Sequence, residues 1–445
     1  MIRRTVLEWG KLEYGEDPDN LQTIPIRAAD RIAAVAAASP LAGEGRQGVI
    51  EHGRKALRAR GTVGVIAAGD CVLEILPKID CPTKTDEAKN IRGRLVHMLT
   101  EALDIKIDVG QMTALGQGGD ILEILVRVFS EKLLATVRQG MPRRYLTHED
   151  DLSALRGRLD ATRQFTVLAA SPARLACRFD ALTSDIAINQ IMKAAVARLL
   201  RIAKTVANQR RLRELAFAYA DISDVAVSNL RWDDVILDRT NARWNELLNL
   251  ALLMLGNRFQ TSSVGDSHGY SLLFPMNDLF EAYVVRMLRR GMAGQGLRVV
   301  SQGGRLYCLT HEKTGGLFQT KPDILIKNGS QVLQVIDTKW KRINSNIEDK
   351  KQGVSQADVY QMMAYGNLYK CKRMTLLYPH HVGITKGEGR QACHTITNTD
   401  GTLETCTIDV AFSIGIGDRL RRIIDPPLAI ATKATAGSPA AFCSA

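Results

Sequence analysis

Residues 321–340 read KPDILIKNGSQVLQVIDTKW. Its centre, Lys327-Asn328-Gly329-Ser330, is an Asn-Gly turn between two apolar runs, the sequence signature of a tight β-hairpin. Such a hairpin brings its outer ends together. Asp323 and Asp337, fourteen positions apart, then reach one end of the strand pair without having to sit directly opposite. Strand alternation puts Lys339 on the face that Asp337 occupies. Two carboxylates at one place repel and are unfavourable to bury unless a cation offsets them. Hard oxygen donors of this kind suit Mg²⁺, with Mn²⁺ as a substitute, held through one or two carboxylates plus a substrate phosphate. The backbone carbonyl of Thr338 is a further candidate ligand. The chemistry that follows is metal-assisted phosphodiester hydrolysis, in which the compact Lys339 ammonium orients the attacking water or stabilises developing charge.

Two flanking segments converge on the same reading. DLFEAYV at 278–284 opens a helix before the hairpin and puts Glu281 near its start, where it could face a metal. QMMAY at 361–365 puts Gln361 and Tyr365 one helical turn apart on a shared face, able to contact the scissile phosphate or order the lysine. Taken singly, each of these is an ordinary solvated pair, turn or helix edge. Their order is what carries weight: Glu, Pro-Asp, Asp-x-Lys and Gln-x-x-x-Tyr fall on helix, strand, strand and helix.

The rest of the chain sets bounds. At 445 residues it is too long for one ordinary core, so several domains are expected. A hydrophobic fraction of 45% and a charged fraction of 24% are those of a globular protein. The start of the chain turns polar before any apolar run develops, and the longest apolar block, 247–255, is too short to span a bilayer. A cytoplasmic protein with no membrane partner is the expectation. Eight cysteines without a CxxC pair argue against a zinc ribbon or a disulfide framework. A net charge of +12 permits a polyanionic partner but does not require one.

Pattern and turn chemistry divide the chain into an N-terminal mixed α/β domain over 1–110, a mainly helical middle over 111–265, a C-terminal domain over 266–425 and a disordered tail over 426–445. In the first, 62–66 and 72–75 read as a hairpin through Gly69-Asp70, and 27–38 as a helix. Helices are expected at 121–138, 185–207, 212–219 and 241–255, and the Ser- and Gly-rich stretch 260–271 as the loop at the next boundary. Beyond it the order is a helix at 277–290, strands at 297–301, 305–310, 319–327 and 331–341, a helix at 355–370, a strand at 373–378, a Gly-rich hairpin and a last strand at 406–414.

That order resembles the PD-(D/E)xK nuclease pattern, and QMMAY resembles the extra motif of its RecB-like branch. LEILPKI at 73–79, YLTHEDDLSALRGRLD at 145–160, CRFDALTSDIAINQIMKAA at 177–195 and FPMNDLFEAYV at 274–284 together resemble the McrC family, the nuclease subunits of McrBC modification-dependent restriction systems. The resemblance runs over roughly 60–380. It implies an α+β multidomain chain with a C-terminal restriction-endonuclease-like αβββαβ domain. It also implies a metal-dependent endonuclease that cuts double-stranded DNA carrying modified cytosine only with an McrB-like AAA+ GTPase ring, whose hydrolysis it stimulates through its N-terminal part. The sequence has no GxxxxGK[ST] phosphate loop, so no nucleotide is expected on this chain itself. A second reading keeps the nuclease fold as the scaffold of a non-catalytic activator of an NTPase ring; the intact Asp323, Asp337 and Lys339 favour the enzyme.

Other clusters are weaker. His380, His381, Cys393, His394 and Cys406 fit no familiar zinc spacing. Arg156, Arg158, Arg163, Arg174 and Arg178 form a basic segment that could track phosphates or be an ordinary solvated face. Trp340 alternates away from Lys339 and reads as core.

Overall fold

The computed structural model of the protein describes residues 2–17, 19–42, 48–80, 87–105, 119–171, 173–239, 241–256, 259–264, 267–312, 315–343, 353–412 and 414–424. The chain forms two compact units, Met1–Lys78 with Thr83–Met276, and Ile79–Pro82 with Asn277–Ala445. The expected N-terminal and middle segments therefore cluster as one unit.

The first unit opens with β1 (Ile2–Leu7), β2 (Lys11–Tyr14), β3 (Thr23–Ile24), α1 (Ile26–Ala37), β4 (Ile50–His52), β5 (Ala56–Ala59), β6 (Thr62–Ala68) and β7 (Cys71–Leu76). The expected hairpin is present: β6 and β7 pair from Gly64↔Ile75 to Ala68↔Cys71, and Gly69 turns the chain at φ +58°. Helices α2 (Glu87–Ala102) and α3 (Ile121–Arg138) follow. The start of α3 is fixed by its cap, Asp120 Oδ1 accepting from the Glu123 amide at 3.0 Å.

The middle is less helical than its pattern suggests. β8 (Arg144–Leu152), β9 (Arg158–Leu159), the short α4 (Ala161–Thr166) and β10 (Leu175–Thr183) build a three-stranded sheet in the order β8-β10-β9. β8 is exposed along most of its length, so it lacks the buried alternation by which a strand is read. The helix expected over 185–207 ends early, as α5 (Ala187–Ile202), and restarts as α6 (Val206–Ala218). The break is tertiary: the Glu123 carboxylate accepts from the Lys204 amide, from Thr205 Oγ1 at 2.8 Å and from Asn208 Nδ2 at 2.7 Å. Helix α7 (Asn245–Leu255) leads into β11 (Phe259–Val264) and β12 (Ser267–Pro275).

These last strands overturn the expected linker at 260–271. β12 pairs antiparallel with β6 from Gly269↔Ala68 to Pro275↔Thr62, completing a sheet in the order β1-β7-β6-β12-β11. Leu272, Leu273 and Phe274 are fully buried in it. The two strands approach so closely that a Cβ at Gly64 would lie 1.9 Å from the Leu272 carbonyl oxygen.

The second unit comprises α8 (Met276–Gly291), β13 (Arg298–Ser301), β14 (Tyr307–His311), β15 (Gly315–Gln319), β16 (Ile324–Asn328), β17 (Gln331–Thr338), α9 (Gln356–Leu368), β18 (Arg373–Pro379), β19 (Gly389–Thr395), β20 (Thr402–Ile408) and α10 (Ile416–Ile424). Its main sheet runs β13-β16-β17-β18-β20-β19, antiparallel at the hairpin and parallel from β17 to β18 to β20. The strand expected over 319–327 is two strands, because Pro322 has no amide to donate and the ladder stops before it. β15 joins β14 in a separate ribbon. The last strand ends at Ile408 rather than 414. Helix α9 covers one face of the sheet, burying Met362 and Tyr365 against Val335, Met374 and Leu376. The tail expected to be disordered lies outside the described residues. Among those described, no helix is long and apolar enough to cross a membrane.

Candidate active site

The hairpin register decides which side chains meet. β16 and β17 pair as Ile324↔Ile336, Leu325↔Val335 and Ile326↔Gln334, then shift to Lys327↔Val332 and Asn328↔Gln331. Leu333 is the extra residue, 37% exposed at the bulge. Continuing the ladder one step beyond Ile324 sets Asp323 opposite Asp337, with both on one face. Without the bulge the turn would set Asp323 opposite Ile336, and Asp337 would point the other way.

Asp323 sits in the bend after Pro322, where its Oδ2 accepts from the Thr338 amide at 2.8 Å and from Thr338 Oγ1 at 2.9 Å. Thr338 thus ties the end of β17 to the first carboxylate. Asp337 is 1% exposed. Burial, then the negative charge of Asp323, pushes its pKa up to about 6 against the pull of Lys339. The Lys339 ammonium lies 2.6 Å from Asp337 Oδ2 as an ion pair, yet that buried oxygen accepts no hydrogen bond of regular geometry. Burial works against the lysine's proton, but Asp337, Asp323 and Asp358 together outweigh it and hold its pKa above the ordinary value.

The other expected residues are drawn toward the same end of the sheet. Glu281, on α8, is half-buried; burial and the Asp323 charge lift its pKa to about 7, and its carboxylate is hydrogen-bonded by Gln302. Gln361 Nε2 donates to Tyr365 Oη at 2.8 Å on α9, and Tyr365 feels the charges of Asp337, Asp323 and Lys339. Trp340 is half-buried and meets Phe280 of α8 edge-on, ring centres 5.3 Å apart, so it packs as expected. Its amide donates to Asn277 Oδ1 at 2.9 Å.

Sequence reasoning missed a second pair beside the first. Lys341, two residues beyond Lys339, ion-pairs with Asp358 at the start of α9, and Asp358 acts electrostatically on both Asp337 and Lys339. The alternation Asp337, Lys339, Lys341 was the available signal; nothing local marks Asp358 as its partner.

The donor set suits a hard divalent ion bound through few protein oxygens: a buried carboxylate with an unbonded oxygen faces a second carboxylate. Among the described residues no group of three His, Cys, Asp or Glu is gathered for a metal. The His/Cys cluster is not one site either: His380 Nδ1 bonds Thr407 Oγ1 at 3.0 Å, His381 Nε2 bonds the Ile343 carbonyl at 2.9 Å, and Cys406 is buried. In the basic segment, Arg163 pairs with Asp151 at 3.0 Å, Arg178 with Glu149 at 3.5 Å, and Arg156 lies 4.1 Å from the centre of the Phe179 ring. These arginines are neutralised or stacked locally.

Comparison with known proteins agrees with this architecture. No curated protein matches the chain. A chain from the refined half-complex of a tetradecameric assembly of Thermococcus gammatolerans McrB AAA+ hexamers with bound McrC is similar at a TM-score of 0.65 and 21% identity, over 95% of this chain and 99% of that one. A chain from the cryo-EM structure of the Thermococcus gammatolerans McrBC complex gives a TM-score of 0.51 at 23% identity, over 65% of this chain and 88% of that one. At these identities the likeness is one of fold. The family pattern of the McrBC 5-methylcytosine restriction system component matches residues 57–379, a span that takes in β6, the middle segments and every candidate residue from Glu281 to Tyr365. The chain therefore belongs to the McrBC 5-methylcytosine restriction system component family.

Proposed function

We propose that this chain is the DNA-cutting subunit of a 5-methylcytosine-dependent restriction complex. In this reading it is a PD-(D/E)xK endonuclease that hydrolyses phosphodiester bonds in double-stranded DNA when assembled with an McrB-like AAA+ GTPase ring, and it stimulates GTP hydrolysis by that ring. The observation that carries the reading is the buried Asp337, with an unbonded oxygen, brought beside Asp323 and Lys339 at one end of a sheet.

Asp323 and Asp337 would hold Mg²⁺ or Mn²⁺, with the Thr338 carbonyl and Glu281 as further oxygen donors. Bound there, the ion supplies positive charge against the phosphate and a water of lowered pKa. Lys339 is kept protonated by its carboxylate neighbours, so it would donate to the attacking water or to the phosphoryl oxygen as charge develops. Gln361 and Tyr365, already bonded to each other, would position the phosphate or the lysine. The partner is supported by the family and by two features of the chain. The chain carries no phosphate loop of its own, and the β8–β10 ribbon exposes Tyr145 at 69% and Leu182 at 50%, more apolar surface than an isolated ribbon sustains.

The test combines the full-length chain, a cognate AAA+ partner, GTP and Mg²⁺ with methylated and unmethylated DNA. Cutting should need every component and the methylated substrate. Cutting that persists after exhaustive chelation would refute the metal-dependent reading.

A further inference from the structure

Away from the candidate active site, the first unit contains a recess of about 1120 Å³ between the α5 face and the turn ends of β6 and β12. Its walls are low because Ala194, Ala197, Gly69 and Gly269 line it. Around them stand Lys193, Arg198, Arg201 and Lys204, with Asp224 as the carboxylate among the described lining residues. Asp224 is committed to Lys193 at 3.1 Å. Arg201 and Lys204 are exposed and make no ion pair among the described residues. Burial lowers the pKa of both Arg198 and Lys204, which is the mark of cations partly desolvated without full compensation. The acids behind Lys204 are occupied: Asp120 caps α3, and Glu123 accepts from the start of α6. Lys204 also lies 5.7 Å from the centre of the Tyr270 ring, at the floor of the recess.

The contrast with the arginines of the β8–β10 sheet decides between the two basic regions. There each strong cation has a carboxylate or ring beside it; here an excess of positive charge faces open space. From Lys193 to Arg201 the helix axis advances about 12 Å, roughly the reach of three consecutive phosphates on one strand. We propose that this recess is a phosphate-binding site that holds the sugar–phosphate backbone of DNA, with Arg198, Arg201 and Lys204 as the contacts. The proposal rests on the reading of DNA as substrate. Backbone contact of this kind carries no sequence information and positions the duplex for the second unit's chemistry.

The test is an equilibrium titration of the full-length chain with double-stranded DNA over a series of salt concentrations. Arg201→Gln with Lys204→Gln is compared with wild type, and Asp337→Ala serves as the control. Both recess side chains are exposed, so thermal melting of the double variant should match wild type. Loss of two phosphate contacts should reduce the slope of log affinity against log salt by about 1.8 and weaken binding roughly tenfold or more, while Asp337→Ala keeps the wild-type slope. An unchanged slope in the double variant overturns the recess proposal and leaves the DNA reading intact. Unchanged DNA binding with loss of assembly on the ring partner assigns the cations to a protein surface and also overturns it. Competition by free nucleoside triphosphate, with the DNA slope unaltered, assigns the recess to free nucleotide and overturns it as well. No DNA binding or cutting by wild type, alone or with its partner, defeats the functional reading itself.

Discussion

Asp323 and Asp337 face one another because the ladder between β16 and β17 carries one extra residue, Leu333. Side chains alternate with period two, so deleting that residue would turn Asp337 to the opposite face. Deletion of Leu333 should abolish DNA cutting and lower the melting temperature. Leu333→Ala, at a partly exposed position, should cost less than about 1 kcal/mol and keep activity. Cleavage assays and melting curves on the two variants check this; wild-type cutting by the deletion would show that the bulge does not set the site.

The raised pKa of Asp337 predicts a pH-dependent cost in the metal-free chain. An acid whose pKa rises on folding, here from 3.8 to about 6, favours the folded state while it is protonated. That contribution is full below the ordinary value and is lost as pH climbs through the folded value. Above pH about 6 the buried ion should cost on the order of 1–3 kcal/mol. Asp337→Asn, which imitates the protonated form, should therefore melt several degrees higher than wild type in chelator at about pH 7.5, and the gap should close near about pH 4. Equal melting temperatures at both pH values would contradict the assignment of the strain to this carboxylate.

Metal should offset the same cost. Mg²⁺ and Mn²⁺ should raise the wild-type melting temperature at neutral pH and support cutting, whereas Ca²⁺, larger and looser in geometry, should stabilise without supporting cutting well. The stabilisation should disappear in Asp337→Asn. Differential scanning fluorimetry across the three ions reads this directly, and an undiminished shift in the variant would place the ion elsewhere.

The chain was legible where local signals agreed with tertiary ones. The Asn-Gly hairpin, the Gly69 turn and helix α3 with its Asp120 cap could be read because turn chemistry and apolar period point the same way. What the sequence hid was non-local. The bulge at Leu333 depends on the register of a whole sheet, the end of α5 on Glu123, some eighty residues away, and the Lys341–Asp358 pair on the docking of α9. The stretch 260–271 looked like a linker because Ser and Gly are common in loops. β12 uses them instead as small residues in a closely paired central strand.

That correction moves the boundary at which the units can be separated. A fragment ending at 260 would strip β12 from the centre of its sheet and lose the buried Leu272, Leu273 and Phe274. At about 1.5–3 kcal/mol each, this is a large share of a typical domain's stability. Residues 1–276 should therefore melt cooperatively and stimulate GTP hydrolysis by the ring partner without cutting DNA, whereas residues 1–260 should fail to fold. Circular dichroism melts and steady-state GTP hydrolysis distinguish the two; a folded 1–276 fragment with no stimulation would move the partner contact to the second unit.

The central claim is that the end of the hairpin performs the cut, and its most direct measurement is the single-turnover DNA cleavage rate of Asp337→Ala and Lys339→Ala in the full complex, read beside GTP hydrolysis in the same tubes. The account predicts that both variants assemble, stimulate hydrolysis at the wild-type rate and lose cleavage by at least about a hundredfold, the scale of one transition-state contact. Cleavage at the wild-type rate by either variant, with metal and partner present, would contradict it.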